Sequence, residues 1–153
     1  DNVRKLTLVI FGALAVSSLA YALDQDQAEK VTAVRQGALK VVGWNIGPMS
    51  AMAKEEIPYD ADLFALHAER IAVLTGMLPE VFKADTRDNP VDTEALDAIW
   101  EDFDEFTRLA NAAENQALQA SAMAKNKDFG DARAALGELG QACKDCHEKF
   151  RED

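Results

Sequence analysis

The sequence predicts an all-α chain folded as an antiparallel four-helix bundle. Three observations predict it. Apolar residues recur at three- and four-residue spacing almost throughout, no stretch alternates with period two, and the connections between helical stretches are short. The 153 residues suit one domain with its own core, and a 48% apolar content is too high for a disordered acidic segment. The 16 Lys+Arg against 27 Asp+Glu give a net charge of −11, which excludes nucleic acid as a partner because phosphate binding needs basic surface.

The first residues are set apart from the fold. Residues 6–23 carry no charge, Arg4 and Lys5 precede them, and Ala20-Tyr21-Ala22 ends the run before a polar DQDQ stretch. This reads as a signal peptide, residues 1–22, cut after Ala22. The alternative is an uncleaved membrane anchor, since the run lies at the short end of the roughly 17–25 residues that span a bilayer. Either reading places the domain, residues 23–153, outside the cytoplasm. Cleavage removes Asp1, Arg4 and Lys5, leaving the domain one charge more negative than the whole chain.

Helix A is expected over 26–54, with Val31, Val34, Ala38, Val41, Ile46, Met49 and Met52 as its inward stripe. Gly47-Pro48 should bend or interrupt it, because proline removes a backbone donor and clashes with the preceding turn. Residues 55–59 form a loop, and Asp60 is a plausible N-cap for helix B, which carries Leu63, Leu66, Ile71, Leu74 and Leu78. Pro79 near its end starts a new turn leading to Phe82. Residues 84–92 are the longest polar stretch and read as a loop. Helix C is expected from a Thr93 cap, with Leu96, Ile99, Trp100, Phe103, Phe106, Ala110, Ala113, Ala117 and Ala120 inside, broken at 125–127. Helix D runs over 128–151 with Phe129, Ala132, Leu136, Leu139, Cys143, Cys146 and Phe150 on its stripe.

Both cysteines lie in Cys143-Lys144-Asp145-Cys146-His147, which is C-x-x-C-H, the attachment signature of c-type haem. Two thiols three apart on a helix share a face and can each join one vinyl group of a flat porphyrin. His147 follows at once, where its imidazole can serve as the iron ligand. The cofactor expectation is one haem c, enclosed by the bundle because the cysteines continue the apolar stripe of Leu136 and Leu139. Export fits, because c-type haem attachment in bacteria is completed outside the cytoplasm. Three other readings compete. Zinc would want four ligands, and beyond these three only His67 remains. A redox C-x-x-C belongs near a βαβ pattern and at a helix start. A plain disulfide at i,i+3 within a helix has poor geometry.

The sixth iron position has five candidates: Met49, Met52, Met77, Met123 and His67. Each has a plainer reading, as core filler for the methionines and as a surface or interface residue for His67.

The chain resembles the cytochrome c′ family. The residues that carry the resemblance are Arg35-Gln36-Gly37-Ala38-Leu39 followed by Gly43-Trp44-Asn45, then Pro58-Tyr59-Asp60, then Ile99-Trp100 with Phe106, and CKDCHEKFR from Cys143 to Arg151. It covers most of the chain, from about Val31 to Arg151. In that family one position on the first helix points at the distal face of the iron, and low-spin members carry Met there. Here it is Leu39, which cannot ligate. The resemblance therefore implies a five-coordinate, high-spin iron held by His147 in a periplasmic protein. It implies that Arg35 approaches a haem propionate and that Arg151 lies near the proximal histidine; the plain reading of both is a solvated charge. Gln36, Trp100 and Phe106 join the cofactor-binding set.

An apolar screen of Leu39, Val42 and Trp100 or Phe106 offers no donor to bound oxygen, which gains from one, whereas nitric oxide and carbon monoxide bind ferrous haem without it. Diatomic-gas binding, in nitric oxide binding or detoxification, is the first function expected. The alternative is electron transfer with a redox-partner protein that meets the acidic surface. Peroxidase chemistry wants distal acid–base groups that are not placed here, so no enzymatic activity is expected. The resemblance also implies a homodimer through the first two helices. A membrane is a partner only if the leader is retained.

Overall fold

The computed structural model describes residues 23–152, so the signal-peptide or anchor expectation lies outside the described residues. Four long helices carry the fold: α1 (Gln25–Ala53), α2 (Ala61–Gly76), α5 (Phe103–Lys125) and α6 (Phe129–Phe150). Two short helices, α3 (Leu78–Val81) and α4 (Ala98–Glu101), sit in the long α2–α5 connection. No strand occurs among the described residues beyond one isolated bridge between Ala95 and Arg151. No helix among them is long and apolar enough to cross a membrane.

Each long helix starts on an aspartate. Asp24 accepts from the Gln27 amide at 2.8 Å while the Gln27 side chain accepts from the Asp24 amide, a complete capping box. Asp60, Asp102 and Asp128 cap α2, α5 and α6 through Leu63, Glu105 and Asp131. The Asp60 and Pro79 expectations hold. Thr93 does not cap a helix: its hydroxyl accepts from the Ala95 amide, and Leu96 lies outside any helix. Ile99 and Trp100 belong to α4, and Asp102, with φ −135° and ψ 62°, breaks the path before α5 begins. The Trp100 indole N–H donates to the Phe82 carbonyl at 2.9 Å and fixes this turn to the end of α3.

The helix α1 continues through Pro48 without interruption. Met49 and Met52, both fully buried beside it, hold that last stretch by packing, which supplies most helix stability in proteins. Its inward stripe departs from expectation. Val34 and Val41 are exposed, while Thr32, Arg35 and Asn45 are buried with Ala28, Met49 and Met52. On α2, Leu63 and Leu66 face outward, and the buried face is Phe64, Ala65, His67, Ala68, Ile71, Ala72 and Thr75.

The core has two parts. One joins Met49, Met52, Phe64, Ile71 and Leu139 across the middle of the bundle, with an alanine ridge from α5 at Ala117, Ala120 and Ala124. The other joins Leu78, Phe82, Ile99, Phe106, Leu109 and Phe150 at the end where α3 and α4 lie. Helix α2 packs on α5, α5 on α6 and α1 on α2, whereas α1 meets α6 only slightly.

Candidate functional site

Helix α6 is unbroken through the C-x-x-C-H segment, so Cys143 and Cys146 share one side of it. Both are half-buried and unbridged. Cys143 packs against the central core and Cys146 against the aromatic end, so the pair spans the seam between the two. Burial raises both thiols, Cys146 to about 11 with Cys143 adding to the effect. A redox cysteine needs a lowered value, so the thioredoxin-type reading loses its physical basis. His147 follows on an exposed part of the helix; burial of its ring, then the nearby Arg151, lowers its basicity and favours the neutral imidazole that can ligate a metal. The described residues contain no cluster of three or more His, Cys, Asp or Glu that could hold a metal on its own.

Across from α6, α1 presents Arg35, Leu39 and Val42 at four- and three-residue spacing, hence on one face. Arg35 is 4% exposed, which overturns the reading of a solvated charge. Its Nε donates to the Val81 carbonyl at 2.9 Å, one terminal nitrogen to Thr86 Oγ1 at 3.0 Å and the other to the Ala84 carbonyl. The guanidinium also lies over the rings of Phe82 and Trp100, 4.7 and 5.2 Å from their centroids. Burial draws it down to about 10, opposed by nearby Asp85. None of the ion pairs among the described residues involves Arg35. Leu39, on the same face, is 40% exposed although Arg35 and Val42 on either side of it are packed inward.

The other expected residues fall around these. Gln36 donates to the Asp92 carbonyl at 2.8 Å. Phe106 is buried at the centre of a ring cluster with Phe82, Phe103 and Phe150. Trp100 stands at its margin, 6.5 Å from Phe82. Arg151 is exposed, and pairs with Glu94 at 2.7 Å. Two backbone bonds reinforce that pair, Leu96 N–H to the Phe150 carbonyl and Glu152 N–H to the Glu94 carbonyl. Of the sixth-ligand candidates, Met49 and Met52 are core filler, Met77 is exposed, and His67 is buried with its Nδ1 2.9 Å from Asn45 Oδ1. Sequence reading missed Phe82, Glu94 and Thr32. Only Thr32 had a local signal, its position one turn before Arg35.

These features fit a flat apolar group that carries carboxylates. Two thiols flank the seam, Leu39 and Trp100 at the margin of the ring cluster offer apolar surface, and a buried guanidinium has no carboxylate bonded to it, Asp85 acting on it only from nearby. The buried Thr32 hydroxyl likewise has no partner. Fold and motif together define a four-helix-bundle c-type cytochrome.

The comparisons name the family. The family model for cytochrome c′ matches residues 30–151. A cytochrome c′ of Cereibacter sphaeroides is 36% identical over 152 residues, covering 97% of each chain. The solved cytochrome c′ of Shewanella frigidimarina superposes with a TM-score of 0.76 at 31% identity, covering 85% of this chain and 100% of that one. A leucine mutant of cytochrome c′ from Alcaligenes xylosoxidans, solved as its nitric oxide complex, gives 0.74 at 28% identity over 82% and 97%. The chain belongs to the cytochrome c′ family, and its cofactor is haem c.

Proposed function

We propose that this cytochrome c′ is a periplasmic gas-binding protein, taking nitric oxide and carbon monoxide at a five-coordinate iron, with a role in nitric oxide binding or detoxification. Cys143 and Cys146 would hold the haem through thioether bonds and His147 would ligate its iron. Haem held there would supply an iron able to take a diatomic gas. The chain's residues decide what reaches it. Leu39 carries the proposal: it stands on the α1 face between buried Arg35 and core-packed Val42, and it has no atom that can ligate. Its branched side chain excludes water and offers no hydrogen bond, so a ligand that needs a donor is disfavoured. Rotation of Leu39 admits a small gas at the cost of local repacking. Arg35, its charge set over the rings of Phe82 and Trp100, would hold a carboxylate of the haem. The nitric oxide complex of the Alcaligenes relative supports this reading.

The test is optical. Ferrous protein should give a high-spin spectrum that changes on adding nitric oxide or carbon monoxide. Leu39→Met should convert it to six-coordinate low-spin and lower carbon monoxide affinity by at least about tenfold, roughly 1.4 kcal/mol. A wild-type spectrum that is already low-spin and ignores both gases would sink the proposal. Electron transfer to a basic partner would then lead, favoured by the acidic surface.

The protein also carries a face suited to a second copy of itself. On α1 the exposed apolar residues Val34 and Val41 stand seven apart, with Trp44 three further on and 77% exposed. On α2, Leu66 and Val73 stand seven apart with Met77 beyond. Seven-residue spacing on neighbouring helices makes a seam for helix-on-helix packing, so we place the homodimer contact there.

A further inference from the structure

Two side-chain oxygens among the described residues are sealed from solvent and have no partner, Thr32 Oγ1 and Tyr59 Oη. The tyrosine hydroxyl belongs to the loop end of the bundle, where the ring packs on Phe64 and Phe129 and the charges acting on it are the carboxylates of Asp128 and Asp60. Those two carboxylates oppose the approach of an anion. Thr32 is placed differently. It is 5% exposed and lies three residues before Arg35 on α1, so the two side chains share a face about one turn apart.

A buried threonine in a helix can return its hydroxyl to the carbonyl of the preceding turn. Thr75 does so, donating to the Ile71 carbonyl at 2.9 Å. The Thr32 hydroxyl makes no such bond. Its neighbour Arg35 has five N–H donors and spends three of them, on Val81, Ala84 and Thr86. The carboxylate that acts on Arg35, Asp85, is itself held by Arg87 through three side-chain bonds. Two guanidinium donors and one hydroxyl therefore remain unspent on one buried stretch of helix. A carboxylate has two oxygens that can accept from both groups at once, and bonds to an ionised acceptor are the strong ones.

We propose that Thr32 is a second anchor for a carboxylate of the haem, its hydroxyl donating beside the free N–H groups of Arg35. The proposal rests on the haem reading above and extends it by one residue.

The experiment uses the haem-loaded protein and three variants, Thr32→Val, Thr32→Ser and Arg35→Lys. The readouts are the propionate bending band in the resonance Raman spectrum and the thermal midpoint. Thr32→Val should shift the band in the direction of a weaker hydrogen bond and lower the midpoint, Thr32→Ser should restore both, and Arg35→Lys should shift the band as well. A hydroxyl that is merely buried predicts the opposite for Thr32→Val: an unmoved band and a raised midpoint, because valine of the same shape removes an unsatisfied polar atom. If only Arg35→Lys moves the band, the Thr32 anchor is overturned and the haem edge at Arg35 stands. If no variant moves it, both fall.

Discussion

Glu55 closes α1 in a conformation that suits glycine. Its φ is 61°, its amide donates to the Met52 carbonyl at 3.0 Å, and the Glu56 amide reaches the Ala51 carbonyl at 2.9 Å. This is the two-bond closure of a helix C-terminus, with a side chain where glycine is usual. Glu55→Gly should raise stability by about 1 kcal/mol, or about 4 °C in Tm, because the left-handed region strains a residue with a Cβ. The ion pair lost with it, Glu55 to Arg133 at 3.8 Å, is exposed on both sides and contributes little. A thermal scan showing no gain would mean the αL strain at Glu55 is already relieved. At this scale charge alone misleads the reader of a sequence. Arg35 reads as solvent-facing because arginine usually is. Its partners are the carbonyls of Val81 and Ala84, some fifty residues away, and no local pattern announces them. The motif residues were legible because the chemistry itself fixes the Cys143, Cys146 and His147 spacing.

Among the helices, α5 and α6 are tied by one carboxylate. Glu105 accepts from Arg108 on its own helix and from Lys149 on α6, both at short range. The bonds to Arg108 and then Lys149 hold its carboxyl down at about 2. A depressed carboxyl stabilises the fold above its unfolded value and loses that contribution as pH falls from about 4.5 to about 2. Glu105→Gln should therefore flatten the acid side of the Tm–pH profile in that window and leave its shape above pH 6 unchanged. Profiles of wild type and variant that run parallel down to pH 2 would dismiss the link. The start of α2 was legible from its cap, Asp60. Before α5 the expected cap was Thr93, because the apolar spacing runs on from Leu96 through Ile99 and Trp100 to Phe103. The Trp100 bond to Phe82, a tertiary contact, holds a separate turn there, and α5 starts at Asp102. The inward stripes of α1 and α2 depart from the apolar pattern for a related reason. Small and polar residues line the buried face, Thr32 and Asn45 on one helix and Ala65, Ala68 and Ala72 on the other, while the larger Val34, Val41, Leu63 and Leu66 face outward.

At the scale of the whole molecule, these outward apolar residues cover surface that a single copy leaves in water. Isolated exposed apolar side chains need no explanation, but Val34, Val41 and Trp44 make a row along α1, and Leu66 and Val73 a row along α2, which packs on it. Against association stands charge: two copies of a strongly acidic chain repel. The repulsion is long-ranged and screened within about 8 Å at physiological ionic strength, whereas the apolar contact is short-ranged and insensitive to that screening. The two forces can therefore be separated by salt. Sedimentation equilibrium should show a dimer that tightens as salt rises from about 10 mM to 150 mM. Trp44→Lys should weaken it by on the order of 30-fold or more, the loss expected when a central aromatic anchor of an interface is removed, and should leave the haem absorption spectrum untouched because Trp44 points away from the α1 face that carries Leu39. A wild-type chain that sediments as a monomer at every salt concentration would return this face to water.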